Sequence, residues 1–308
     1  MISINNFING EFVPPNSNQY LDVYEPATGL IYSNVADSNS NDIENAYQSA
    51  QSAFKFWSGI SVEERAGYLN KIADGIESRL DEFAEYESRD TGKPISLAKS
   101  VDIPRAVSNF RFFAEFGLAF QFESELNSDQ SQNKLIRSPL GVVGCISPWN
   151  LPIYLFTWKI APALIAGNTV VAKPSEITPY TAFKLSEICR DAGFPVGVLN
   201  IIHGQGSTAG DALVGHRGIK AISFTGGTAT GKLITKKTAS SFKKLSLEMG
   251  GKNPAVIFAD CDYDNMLETM VRSSFSNQGQ ICLCSSRILV EESIYEKFKI
   301  DFVQRVSE

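Results

Sequence analysis

The sequence predicts an α/β fold built on a doubly wound parallel sheet, and two observations carry that prediction. From Leu140 onward, short β-rich runs alternate with helical ones at intervals of roughly 25 residues: GVVGCIS, NTVVAK, GVLNII, KAISFT and KKLSLE. Each run ends at a polar or glycine-rich junction, in turn SPWNLP, KPSE, HGQGSTAG, FTGGTATG and LEMGGKNP. Strands and helices alternating in this way wind into βαβ units, and such a sheet binds ligands beyond the carboxyl ends of its strands. The informative residues are therefore expected at those junctions.

Before the sheet, the first third of the chain reads as helical. Ile43, Tyr47, Ala50, Phe54 and Trp57 fall on one helical face, and Ser61 with Glu64 makes a capping box that opens the next helix. A further helix is expected to close before DTGKP, where Gly92 and Pro94 are stop signals. Pro104 suits the first turn of a helix through SVDIPRAVSNFRFFAEF, with Arg105 directly after it. Residues 121–133, QFESELNSDQSQN, are polar and serine-rich and mark a connection or an exposed excursion.

Composition narrows the function classes. The 308 residues, 43% hydrophobic and 20% charged, suffice for one large or two ordinary domains. A net charge of -6 without a long basic run argues against nucleic acid or an anionic membrane as a partner and favours small-molecule chemistry. MISINNFINGEFVPP lacks a basic segment followed by an apolar one, and no run reaches the roughly 18 apolar residues of a membrane span, so a cytoplasmic location is expected. Five cysteines, an odd number in a chain this long, fit free thiols in a reducing compartment. With only His203 and His216 available, no transition-metal site is expected.

The junctions differ in what they imply. GQGSTAG departs from the dinucleotide fingerprint and reads as a turn, although its glycines, Gly206 among them, would let a backbone approach a phosphate. In FTGGTATG, Gly226 and Gly227 precede a helix whose free N–H groups and dipole suit a pyrophosphate; a tight loop without ligand is the alternative. Lys173 and Glu176 around Pro174 form either a surface ion pair or a ligand-binding pair, and Glu248 is either structural or chemical. Asn150, between Trp149 and Leu-Pro, reads as a cap or turn. FSNQGQICLCSSR carries Cys282 and Cys284 two positions apart, a pattern of neither metal sites nor disulfide frameworks. A free cysteine there is a small packed apolar residue or a nucleophile.

Taken in order, SPWNLP, KPSE, FTGGTATG, LEMGGKNP and FSNQGQICLCSSR resemble the aldehyde dehydrogenase superfamily. The likeness begins at NFINGEFV, includes DTGKP and spans essentially the whole chain. DIPRAVSNFRFFAEF, ISPWNLPIYLFTWKIAPAL and QICLCSSR most resemble its 2-aminomuconate and 2-hydroxymuconate semialdehyde dehydrogenases. The resemblance implies that the Cys282 thiolate attacks an aldehyde carbon, with Asn150 and the Cys282 backbone N–H as oxyanion donors. Glu248 would activate the water that hydrolyses the thioester, a task that partial burial assists by raising a carboxylate towards neutrality. Cys284 matches no catalytic position and is assigned to packing.

NAD is the cofactor the resemblance implies, with Ser147, Pro148, Trp149, Lys173, Ser175, Glu176, Gly206, Phe224, Thr225, Gly226, Gly227 and Gly231 as its binding residues. Lys173 and Glu176 match the pair that holds the adenosine ribose, and a carboxylate there would repel a 2'-phosphate, favouring NAD over NADP. Gly227 departs from the serine or threonine of many members. Family chains continue past the point where DFVQRVSE ends, so a truncated enzyme is expected: residues 1–118 and 139–250 as the NAD-binding domain, 119–138 as an oligomerisation arm and 251–308 as the start of a catalytic α/β domain. A non-catalytic nucleotide-binding or association fragment is the alternative. The implied partners are an aldehyde and further copies of the chain, in a homodimer or homotetramer. A muconate-type semialdehyde carries a carboxylate, for which Arg105 is the candidate partner, set among Phe110, Phe112, Phe113 and Phe116. Solvation or pairing with Asp102 is the alternative for Arg105, and Arg111 is a second candidate.

Overall fold

Strands, not helices, open the chain. In the computed structural model, which describes residues 2–128 and 131–308, five short strands precede the first helix: β1 (Ile2–Ile4), β2 (Asn6–Ile8), β3 (Glu11–Val13), β4 (Tyr20–Glu25) and β5 (Leu30–Ala36). This corrects the helical reading of the first third. Asn9 and Gly10, both at positive φ, make the two-residue turn that closes β2 onto β3 antiparallel. β5 pairs parallel with β1 and antiparallel with β4 in a separate three-stranded sheet.

Helix α1 (Ser40–Gly59) starts at Asn39, which forms a capping box with Asp42, and α2 (Val62–Ser78) starts at the Ser61–Glu64 box. Helix α3 (Leu80–Thr91) runs two residues into DTGKP instead of closing before it, because the left-handed stop is Gly92 itself, at φ 74°. A short α4 (Ile95–Leu97) and a π-helical turn at Ala98–Asp102 lead into α5 (Ile103–Ala119), with Pro104 in its first turn. The polar segment that follows is an antiparallel hairpin of β6 (Glu123–Ser128) and β7 (Ser131–Ile136); its residues 129 and 130, like residue 1, lie outside the described residues.

All five expected strands form: β8 (Val142–Ile146), β9 (Thr169–Lys173), β10 (Leu199–Ile201), β11 (Ala221–Gly226) and β12 (Lys244–Met249). Between them lie α6 (Pro152–Ile165), α7 (Tyr180–Asp191), α8 (Asp211–Gly215) and α9 (Thr228–Thr238). The sheet order is β12-β11-β8-β9-β10-β2-β3. β8 pairs parallel with β9 and β11, and β9 with β10, but β2 joins β10 antiparallel, so one edge departs from the expected all-parallel sheet. The order reverses at β8, between β9 and β11. That is the topological switch point at which open α/β sheets bind ligands. On one side of the sheet Trp57, Phe83, Phe110 and Phe156 anchor the larger core; Ile43, Val142, Ile222 and Ile234 belong to a second.

By its contacts the chain divides into two units: Met1–Thr225 with Ala229–Leu247, and Gly226–Thr228 with Glu248–Glu308. The expected boundary at 250 and the assignment of Gly226 and Gly227 to the first domain therefore shift. The second unit pairs β13 (Asn253–Ile257) parallel with β14 (Ser285–Val290) and adds α10 (Tyr263–Phe275) and α11 (Tyr295–Ser307) around Ile257, Leu267, Met270 and Phe298. Among the described residues no helix is long and apolar enough to cross a membrane.

Candidate active site

At the switch point three strand ends stand abreast: Ile146 of β8 is in register with Lys173 of β9 and with Phe224 of β11. Ser147 and Pro174 therefore leave the sheet side by side while β11 continues through Thr225, and the Ser147 N–H donates to the Lys173 carbonyl at 3.1 Å. Ser147 is buried, and its hydroxyl has no partner among the described residues. Pro148 and Asn150 are half-buried, Trp149 is exposed, and the Trp149 carbonyl accepts from Thr178 at 3.3 Å. Thr178 was not foreseen, since no local motif links it to a loop 29 residues earlier.

The reading of KPSE as a mere surface pair does not hold. Lys173 is almost fully buried; its Nζ lies 2.9 Å from Glu176 Oε2 and donates to the Pro174 carbonyl at 3.0 Å. Burial pushes the ammonium below its ordinary value, against the pull of Glu176. At Glu176, burial acts to raise the carboxyl, but the Lys173 charge and hydrogen bond, with backbone N–H donors, outweigh it and hold the group below the usual carboxylate range. One such donor is Gly206 N, 3.4 Å from Glu176 Oε1. The structure thus brings Ser147, Lys173, Glu176 and Gly206 together. Ser175, also buried, turns the loop by accepting from the Ile177 N–H at 3.2 Å.

Gly206 opens a π-helical turn and is exposed; a Cβ there would meet nothing in the protein. The same holds at Gly227, so the absence of a hydroxyl at that position is not enforced by crowding. Phe224 is buried, Thr225 and Gly226 are half-buried, and Gly231 is buried one turn into α9.

In the second unit, two segments far apart in sequence are stapled together. Asn253 Nδ2 donates to the carbonyls of Cys282, at 2.5 Å, and Cys284, at 3.4 Å, while the Arg287 guanidinium donates to the Lys252 carbonyl at 2.7 and 3.1 Å. Cys284 N–H reaches the Ile281 carbonyl at 3.0 Å, which makes Ile281–Cys284 a turn with Cys282 at its first corner. The turn points the two cysteines apart: Cys282 is exposed, whereas Cys284 is buried with its Sγ 3.7 Å from the Ser276 carbonyl. Asn277, Gln278 and Gly279, all at positive φ, lead the chain into this turn. Glu248, near the end of β12, is exposed, so the partial burial expected of it is not found within this unit.

Arg105 is exposed, with its guanidinium 5.6 Å from the centroid of the Tyr154 ring. Its expected apolar surroundings are corrected, since Phe112 and Phe116 are exposed too. Pairing with Asp102 is also corrected: that carboxylate is buried, 3.0 Å from Lys93. Arg111 pairs with Asp74 and Glu77 at the surface.

Comparison with known proteins fits this arrangement. The family model described as "Aldehyde dehydrogenase family" matches residues 12–308. The chain is 53% identical over 302 residues to a 2-aminomuconic semialdehyde dehydrogenase of Danio rerio, covering 98% of this chain and 62% of that protein. It is 45% identical to a 2-hydroxymuconic semialdehyde dehydrogenase of Pseudomonas sp. (strain CF600), covering 97% and 63%. Among solved structures, an NAD+ complex of an aldehyde dehydrogenase from Bacillus cereus superposes with a TM-score of 0.96 at 36% identity, over 100% of this chain and 63% of that one. The chain thus spans about 62% of the length of the curated relatives it matches. With its strand order, its strand-end residues and its cysteine turn, the chain belongs to the aldehyde dehydrogenase family.

Proposed function

We propose that the protein oxidises an aldehyde with NAD, and that the aldehyde is a semialdehyde of muconate type. The observation that carries the reading is Cys282, an exposed thiol at a turn corner whose carbonyl is held by Asn253. The strand ends fit the cofactor: a buried Ser147 hydroxyl without a partner among the described residues, a charged Lys173–Glu176 pair and open backbone at Gly206 lie at the switch point. Lys173 and Glu176 would hold the ribose, with Glu176, kept ionised by Lys173, rejecting a 2'-phosphate. When bound, NAD supplies a hydride acceptor.

The protein's own residues do the remainder. The Cys282 thiolate forms the C–S bond as the carbonyl π electrons move to oxygen, and Asn150 donates a hydrogen bond to that oxyanion. Once the carbon has lost hydride and become a thioester, Glu248 takes a proton from water, whose oxygen displaces the thiolate and releases the carboxylic acid. Arg105 pairs with the far carboxylate of the substrate; its exposed guanidinium forms no ion pair among the described residues. The exposed β6–β7 hairpin serves association between copies, as a homodimer or homotetramer, and free thiols at all five cysteines suit the cytoplasm.

The test is NADH formation, followed by its absorbance, from NAD and an acidic or a neutral aldehyde of similar size, alongside calorimetric titration of NAD. Turnover that is lost in Cys282→Ala supports the reading. NAD binding without NADH formation from any aldehyde replaces it with a nucleotide-binding or association module.

A further inference from the structure

Lys93 is completely buried, and it lies between two buried carboxylates: its Nζ is 3.0 Å from Asp102 Oδ2 and 3.6 Å from Glu87 Oε1. A buried lysine with two acids is costly to desolvate and weak evidence of stability, so its use is better sought in what it holds in register. Glu87 Oε2 accepts from the Thr181 hydroxyl at 3.0 Å and from the Ile153 backbone N–H at 3.4 Å. Ile153 is the second residue of α6, directly after the loop that carries Asn150. Asp102 is the residue before α5, three positions ahead of Arg105. The circuit closes across the two helices: Asn109 of α5 donates to the Tyr154 carbonyl at 3.0 Å and to the Thr157 hydroxyl at 2.9 Å, and Arg105 lies over the Tyr154 ring.

From this we infer that Lys93, with Glu87 and Asp102, is a positioning group that sets the starts of α5 and α6 against each other and so fixes Arg105 relative to Asn150. The inference rests on the roles proposed for Asn150 and Arg105. None of the three touches substrate. Glu87 acts through the first turn of α6, where backbone N–H groups lack intrahelical partners and its carboxylate accepts from Ile153, while Lys93 and Asp102 act through the π-helical turn that runs into α5.

The experiment compares wild type with Lys93→Met, which keeps length without charge, and Glu87→Gln, which keeps an acceptor for Ile153 and Thr181. Amide exchange should rise about 10-fold in peptides covering residues 149–155 and 102–108 of Lys93→Met, while the β8 and β9 peptides stay as in wild type. In turnover, kcat/KM for a neutral aldehyde should fall through kcat, and the preference for an acidic aldehyde over a neutral one should fall about 10-fold further. NAD affinity should be unchanged. Glu87→Gln should show the same pattern at smaller size. Uniformly faster exchange, or variants with an unaltered acid-to-neutral preference in an active enzyme, would overturn the inference while leaving the proposed function standing. If wild type makes no NADH from any aldehyde, the proposed function fails; the exchange pattern then decides whether Lys93 frames these two helix starts or only supports the fold.

Discussion

The β8–β9 strand ends and the Cys282 turn bear residues assigned to one reaction, yet they are built in opposite ways. Lys173 and Ser147 leave the middle of a seven-stranded sheet and are buried; Glu176 and the Pro174 carbonyl fix the lysine side chain, and the Lys173 carbonyl holds the Ser147 N–H. Cys282 lies in a unit whose sheet has two strands, Glu248 is near the end of the edge strand β12 of the seven-stranded sheet, and both are exposed. A central strand supplies neighbours on both sides and helices on both faces, so a polar side chain at its end is desolvated: Lys173 has Glu176 for a partner, and the Ser147 hydroxyl has none among the described residues. At the turn Asn253 holds the carbonyls of Cys282 and Cys284, and the Cys282 side chain is left outward. Position is secured through side chains in one region and through carbonyls in the other.

The largest effect expected is chemical. Cys282→Ala should lower turnover by roughly 10³-fold or more, with NAD affinity changed less than about twofold, while Cys284→Ala keeps most of the activity. Equal losses in both would erase the distinction the turn makes between them. Next in size are packing changes. Phe110→Ala in the closed core should cost about 3–5 kcal/mol, whereas Phe258→Ala, exposed beside β13, should stay within about 0.5 kcal/mol, as denaturant midpoints would report. A Phe258→Ala loss as large as that of Phe110→Ala would mean that this face is covered in solution.

A smaller effect is one of pH. Burial pushes the Asp90 carboxyl up to about 8, despite the hydrogen bonds it accepts from the Tyr32 hydroxyl and the Tyr180 N–H. The folded state therefore holds a proton that the unfolded state has lost. This contribution is full below the ordinary aspartate range and disappears as pH rises through 8. Two other groups pull the opposite way, one below about pH 6.5 and one above about pH 8. Burial lowers His203 to about 3, so its destabilising term ends near its unfolded value of 6.5; Lys243, lowered to about 8, adds stability only above that pH. The melting temperature should accordingly fall between about pH 6.5 and 8, and Asp90→Asn should flatten most of that slope. An unchanged slope in the variant would locate the titration elsewhere. Smallest of all is Gly227→Ser, which meets no neighbour and places a capping hydroxyl before α9; a gain of a few tenths of a kcal/mol is expected from thermal unfolding. A loss instead would show that the loop needs glycine.

How much of this could be read in advance depended on whether the signal was local. The five strand ends were legible because each pairs a β-rich run with a glycine or proline junction, and the Ser61–Glu64 box because its partners are three residues apart. β1 to β3 were not, since three-residue strands hold too little sequence to display a period. Asp102 was matched to Arg105, its neighbour in sequence, when its partner is Lys93, which only the folding of α3 against α5 brings close. The burial asked of Glu248 likewise depends on surroundings, of which a motif says nothing.

The pairing of β2 with β10 has a consequence in time. Phe7 lies opposite Ile201, and Asn6 accepts from the His203 N–H, so the first hairpin completes its hydrogen bonds with residues made nearly two hundred codons later. At about 5–20 residues per second, that is an interval of roughly 10–40 s during synthesis. Throughout it an unpaired strand edge bearing Phe7 and Ile8 stands open, and the ribosome-bound chain must be kept from pairing it with a neighbour.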